Sequence, residues 1–433
     1  MKFGRVALVC ALTVGLGGAV GWWASAQTRP AAAVITTVPG MPAVADATNL
    51  YSETVAGKLS PAVQGALPRV YVPNRRANTV SVIDPETLQV VDTFKVGRNP
   101  QHVVPSWDLK TLWVANNAEG RTDGSLTPID PSTGKAGAAI PVDDPYNVYW
   151  SPDGKSAIIV AEELKRLDFR HPQTMKLDYS IATPHCGGIN HADFAIDGSF
   201  ALFTCEFDGA VTKIDLVNRT VLATLTLSPY YGRPDVVAQL TALEKKKSQL
   251  ITTQQVVVQE AQELGGAICT SRGMPQDIRA SPDGKTFFVA DMLADGVHVV
   301  DGASFKQIGF IPTGIGAHGL YPSRDGKSLY VANRGSNKMI GPKGGKGSVS
   351  VIDFATRKVV KTWPIPGGGS PDMGNVSADG KYLWLSGRFD DVVYRFETTT
   401  GDVDKVKVGR EPHGLTVWPQ PGRYSLGHTG NLR

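Results

Sequence analysis

Four histidines, His102, His191, His318 and His413, stand at equivalent points of an internal repeat, and Asp277 and Asp372 hold the same points in two other copies. Counting back from the turn that ends one strand of each copy gives two adjacent columns. One reads Gln101, Tyr146, Asn190, Gln276, His318, Asp372, His413, and the next His102, Asn147, His191, Asp277, Gly319, Met373, Gly414. If the copies are arranged about an axis, half of the chain's eight histidines gather around it. Imidazole suits copper, zinc and iron, and a metal with an open position activates water or dioxygen. The candidate metal ligands are therefore His102, His191, His318 and His413, with His185, Cys186 and His428 as more distant candidates. Asp277 or Asp372 is the candidate catalytic proton acceptor. The bland interpretation is a polar ring that satisfies backbone groups and ordered water. Successive side chains of a strand point to opposite faces, so the two columns need not converge.

The elements that must position these residues follow from the repeat itself. A β-rich run ending in a hydrophobic residue and an acid recurs as Val82-Ile83-Asp84, Pro128-Ile129-Asp130, Arg166-Leu167-Asp168, Lys213-Ile214-Asp215, Val299-Val300-Asp301, Val351-Ile352-Asp353 and Arg395-Phe396-Glu397. An Asp-Gly-like turn followed by an apolar strand runs in step with it, as in Asp283-Gly284-Lys285 before Phe287-Phe288-Val289-Ala290. Repeats of about 40–45 residues with several short strands each signify a β-propeller. The expected fold is all-β: a seven-bladed propeller with four strands per blade. Blade one lacks its inner strand, which Gly414-Leu415-Thr416-Val417-Trp418 supplies from the far end of the chain.

One interval breaks the rhythm. Asp153 and Asp197 lie one repeat apart, whereas Asp197 to Asp283 spans about two. Pro234 and Asp235 open a run with Val236, Leu243, Leu250, Val257 and Leu264 at heptad spacing, ending at Gly265-Gly266. This predicts a helical insertion over residues 233–266, between blades four and five. The glycine-rich stretch Gly341 to Gly347 lacks the spacing of a phosphate loop and is expected to be a hairpin loop of blade six.

Lys2 and Arg5 precede an apolar stretch from Val6 to Trp23, and Ala24-Ser25-Ala26 has the pattern of a cleavage site. Residues 1–26 are expected to be a signal peptide, 27–66 a tether or strap, and 67–433 the propeller. The protein is expected to be periplasmic or secreted after cleavage near Ala26, with no transmembrane segment in the mature chain. The formal charge of +4 falls to about +2 without Lys2 and Arg5. No dense basic face is present, so nucleic acid is not an expected partner. Cys186, Cys205 and Cys269 follow the signal segment. A bridge between Cys186 and Cys269 is expected, with Cys205 buried in its strand.

The phrases Leu112-Trp113-Val114-Ala115-Asn116 and Leu329-Tyr330-Val331-Ala332-Asn333, with the Ser-Pro-Asp-Gly-Lys turns at Ser151 and Ser281, resemble the YVTN-repeat propellers, exported proteins often grouped as YncE-like. The wider group is similar in architecture to the methylamine dehydrogenase heavy chain, the haem d1 domain of cytochrome cd1 nitrite reductase, nitrous oxide reductase and lactonase propellers. The resemblance implies the fold and selects no chemistry. Three readings stand. The first is a non-catalytic, exported propeller binding a protein or small molecule at one face. The second is a metal-dependent oxidoreductase, copper foremost, with its site at the channel mouth. The third is a metal-dependent lactone-type hydrolase using the same mouth.

Overall fold

The computed structural model describes residues 34–232, 235, 238, 241–242, 273–428 and 430–433. Seven antiparallel sheets follow one another around a ring. Blade 1 is built from Thr416–Trp418, Arg69–Asn74, Thr79–Asp84 and Gln89–Lys95, so its inner strand does come from the C-terminal end. The register that closes the ring pairs Arg69 with Trp418, Val70 with Val417 and Tyr71 with Thr416. The inner strands of blades 2 to 7 are Pro100–Pro105, Pro145–Trp150, Ile189–Phe194, Pro275–Ala280, Ala317–Pro322 and Pro371–Val376. These strands are buried at nearly every position, whereas fourth strands such as Gln89–Lys95 and Thr220–Thr226 are largely exposed.

The recurring acid has a local cause. The carboxylates of Asp84, Asp215, Asp353 and Glu397 accept backbone N–H groups two or three residues on, which starts the hairpin into the fourth strand. The inner strands are stitched from blade to blade by side chains that accept a backbone N–H of the next blade. Tyr149 takes Ala192 N (2.8 Å), Asp193 takes Ala280 N (2.8 Å) and Asp277 takes Leu320 N (2.9 Å). Tyr321 takes Gly374 N (2.8 Å) and Asn375 takes Val417 N (2.9 Å).

Two terminal segments close the face that carries the Asp-Gly turns. Residues 38–59 cross it, with Val38 N bonded to Asp197 O, Leu50 N to Pro282 O, Tyr51 Oη to Ala280 O and Gly422 N to Lys58 O. The last residues form a hairpin, Ser425–Gly427 and Asn431–Leu432, that extends the inner edge of blade 3 to six strands. Ser425–Gly427 runs antiparallel to Pro145–Trp150, so it climbs the channel from the turn face toward the strand starts. Gly427 makes this possible: its φ is 136°, and a Cβ there would lie 2.5 Å from the Tyr149 ring and 2.7 Å from Val148 O.

Two expectations are corrected. Cys186 is bonded to Cys205 rather than to Cys269. Cys186 lies in the connection entering Ile189–Phe194, and Cys205 ends the strand that pairs with it, Ile189 facing Cys205. Register therefore brings the two together, while Cys269 lies outside the described residues. The helical insertion over 233–266 is not supported as an element, since the described elements hold only one 3-10 turn, Pro61–Val63. The four described residues of that stretch, Asp235, Ala238, Thr241 and Ala242, are individually in helical conformation. Of that stretch all but Asp235, Ala238, Thr241 and Ala242 lies outside the described residues, as does the expected signal peptide. Among the described residues no helix is long and apolar enough to cross a membrane.

Candidate metal centre

Both histidine columns reach the channel because the inner strands do not keep strict alternation. In blades 2 to 7 the pairing of first and second strands slips by one residue at the columns, as between Pro100 and His102, Ile189 and Ala192, or Ala317 and Leu320. Such a bulge sets two residues of one strand against one of its partner and breaks the two-residue period. Neighbouring columns can then face the same axis.

Two groups result, each with its ligand atoms within 4.8 Å of one another. His102, His191 and His428 form one; His318, Asp372 and His413 form the other. All six are buried, five at 0 % exposure and His318 at 2 %. The groups adjoin, since the His102 and His413 ring centroids are 4.8 Å apart. His428, carried in by the C-terminal hairpin, lies 4.1 Å from His102 and 4.6 Å from His191 by ring centroid. The backbone of blade 1 is close as well: a Cβ on Gly414 would stand 1.9 Å from His102 Nδ1.

The electrostatics leave this cluster of imidazoles neutral. Burial pushes His102, His191, His413 and His428 well below the ordinary histidine value. It brings His318 down to about 4 against the opposing pull of Asp372. Burial works to raise Asp372 too, but Arg334, His318 and His413 outweigh it and hold the carboxylate well below its ordinary range.

Few of the inward-facing atoms have partners. Both nitrogens of His102 and of His428, Nε2 of His191 and His413, Nδ1 of His318 and both oxygens of Asp372 are buried without a hydrogen bond. His318 Nδ1 is 2.8 Å from Asp372 Oδ1, but not in hydrogen-bonding orientation. Such a concentration of buried, unpaired polar atoms is the mark of a site for an ion, ligand or water.

His413 is the most telling member. Its Nδ1 is 3.1 Å from the Gln101 carbonyl, which can only accept, so the proton sits on Nδ1. Nε2 is then a lone pair, 3.7 Å from Asp372 Oδ2. Two acceptors face each other with no hydrogen between them, a repulsion that a cation between them would remove. Ligand atoms around a tetrahedral ion stand about 3.4 Å apart, and a backbone carbonyl on the far nitrogen is the usual support of a metal-binding histidine. His191 differs. Asn147 Oδ1 holds Val148 N at 2.9 Å, so its Nδ2 faces His191 Nδ1 at 3.3 Å and directs the proton to Nε2. Of the two groups, that of His318, Asp372 and His413 is the one in which an imidazole lone pair faces a carboxylate.

The remaining candidates are placed elsewhere. Asp277 accepts Ile278 N and Leu320 N and pairs with Arg279 Nη1 at 2.9 Å, so its carboxylate is taken up by the blade-to-blade stitch. His185 is exposed, and Cys186, in a disulfide, has no thiolate to offer. Sequence reasoning missed a third ring. The residues directly after the second strands are Arg75, Asn117, Glu162, Glu206, Met292, Arg334 and Arg388. Arg334, Arg388 and Arg75 sit on the consecutive blades 6, 7 and 1, while Glu162 and Glu206 sit on blades 3 and 4. Arg388 Nη1 is 3.6 Å and Arg334 Nε 3.8 Å from Asp372. Burial pushes Arg334 down to about 10, still cationic at neutral pH. The same internal alignment, read one strand along, holds this ring.

The YNCE-like beta-propeller family matches residues 25–177 and 256–421. The chain belongs to the YncE-like propellers. Solved structures similar to it include hydrazine synthase of Kuenenia stuttgartiensis, at 17 % identity and TM-score 0.50, covering 72 % of this chain and 87 % of that one. A functionally unknown protein from Desulfotomaculum acetoxidans aligns at 13 % identity and TM-score 0.57, covering 81 % and 98 %. The dihydro-heme d1 dehydrogenase NirN, in complex with DHE, aligns at 13 % identity and TM-score 0.53, covering 81 % and 75 %. At these identities the likeness concerns the fold alone. No curated protein sequence matched.

Proposed function

We propose that this YncE-like propeller is an exported, metal-dependent oxidoreductase whose ion is held at the channel centre by His318, Asp372 and His413, with His102 beside it. The observation that supports this most is the lone pair of His413 Nε2 facing the Asp372 carboxylate, with its tautomer fixed by Gln101. Two imidazoles and a carboxylate suit copper, iron or zinc, and copper is the first candidate because Cu(II) tops the affinity order for nitrogen and oxygen donors. When bound, the metal supplies one-electron chemistry or activation of a small molecule at its open position. The chain's own part is to present neutral imidazoles, keep Asp372 ionised beside Arg334 and Arg388, and exclude water from the turn face with the strap and C-terminal hairpin.

The test is to load the chelator-treated protein with Cu(II) and record its electron paramagnetic resonance. One equivalent with nitrogen hyperfine structure, reduced by ascorbate and reoxidised in air, supports the reading. Loss of that signal in His413→Ala places the ion where proposed. A protein that takes up no copper, iron or zinc sinks it.

A second reading, a partner-binding propeller, is favoured by Phe207, Ile315, Met339 and Ile340. These apolar side chains are exposed on connections at the strand-start mouth, Ile340 at 79 %. A metal-free protein whose partner binding is lost in Ile340→Asp would favour that reading over the first.

A further inference from the structure

The residues around the centre pose a charge problem that a bound metal would sharpen. Arg334 and Arg388 both face Asp372, yet each keeps buried nitrogens without a hydrogen bond: Nε and Nη2 of Arg334 and Nε of Arg388. Arg388 also lies 3.5 Å from Glu411, which is shared with Arg75. A dication at His318, Asp372 and His413 would leave an ion and two guanidiniums against the Asp372 and Glu411 carboxylates. Buried charge left uncompensated is costly. The missing element is negative charge on the side of blades 6 and 7.

We propose, on the basis of the metal reading above, that the open position of this centre takes a small oxyanion clamped by Arg334 and Arg388. Guanidinium groups present planar pairs of N–H donors that match carboxylates and inorganic oxyanions two bonds at a time. The unpartnered Nε and Nη2 of Arg334 are one such pair. Glu162 and Glu206 lie across the channel, and burial pushes both carboxyls up toward the neutral acid, so the ring's fixed charge is the cationic arginine side. Arg75, on the adjoining blade, continues the cationic arc with its own Nε unpartnered. The residues that would surround the ligand, Arg334, Arg388, His318, Asp372 and His413, are all buried.

The experiment uses the full-length protein carrying one equivalent of Cu(II), titrated with sodium formate and followed by electron paramagnetic resonance. Formate should shift the copper spectrum saturably, while formamide, its neutral analogue, should not. Arg334→Gln and Arg388→Gln should each weaken formate about ten- to a hundred-fold with copper retained, the range for a hydrogen bond to a charged group. Arg388→Lys, which keeps the charge and loses the fork, should weaken it less than Arg388→Gln; together with the formate–formamide contrast on the wild type, it decides the matter if the Gln variants do not fold. Copper bound at one equivalent with a spectrum indifferent to formate, or equally responsive to formamide, overturns the inference and leaves the metal reading standing. Failure to bind copper, iron or zinc overturns both.

Discussion

Asp372→Asn is the perturbation that the centre should feel most. The carboxylate faces His318 Nδ1 at 2.8 Å, Arg388 at 3.6 Å, His413 Nε2 at 3.7 Å and Arg334 at 3.8 Å, with no exposure to solvent. Removing one partner of a buried ion pair costs about 3–5 kcal/mol. Neither arginine is within hydrogen-bond length here, which favours the lower end, about 3 kcal/mol. With an unfolding entropy of about 2.1 cal/mol/K per residue over about 400 residues, that lowers Tm by about 4 °C. In wild type, copper at about a hundred times its Kd adds about 2.7 kcal/mol, or about 3 °C. The variant should lose that gain as well. Calorimetry in chelator and then in excess copper should therefore show a gap of about 4 °C widening to about 7 °C. A variant melting within about 1 °C of wild type in both conditions would refute the role given to this carboxylate.

Other outcomes follow from the same structure. Cys186→Ser with Cys205→Ser reopens a loop of 19 residues and should lower stability by about 3 kcal/mol in denaturant melts; alkylation of the unreduced wild type should leave both cysteines unlabelled. Asp277→Asn removes one of the carboxylates acting on Arg279 and weakens the stitch to Leu320. It should destabilise by about 3 kcal/mol while copper stoichiometry holds, and copper loss at unchanged stability would reverse that assignment. Burial raises Asp144 to about 6, from the ordinary 3.8, although it accepts Leu164 N and Glu163 N. Its folded state binds the proton more tightly than the unfolded chain. That contribution is present below about pH 4 and is lost as pH rises through 6, at most about 3 kcal/mol. Asp144→Asn should accordingly gain stability relative to wild type between pH 4 and 7, and a difference that does not change with pH would exclude this origin.

The ring was legible because every blade solves the same local problem. An acid such as Asp84 or Asp353 must cap each hairpin, and that need writes a repeat into the sequence at fixed spacing. The histidine columns were legible for the same reason, since they sit at one offset from the turns. Their convergence was not, because it depends on bulges that alternation rules do not foresee. His428 reaches the cluster only because Gly427 lets a strand slide against Tyr149, which is a matter of close approach rather than pattern. The cysteine pairing turned on register, with Ile189 opposite Cys205, whereas the placement of Cys186 and Cys269 in connections leading into inner strands had pointed to a bridge between those two. The arginine arc went unread because each member, taken singly, looks like an ordinary turn residue after a strand.

Metal content tests most directly whether the channel centre holds an ion. Protein purified from its native envelope, without chelators or a histidine tag, should carry about one equivalent of a transition metal by mass spectrometry, copper foremost. The His318→Ala/His413→Ala double variant, purified alongside, should carry none. A wild-type protein free of metal that also refuses added copper, iron and zinc would contradict a metal centre at His318, Asp372 and His413.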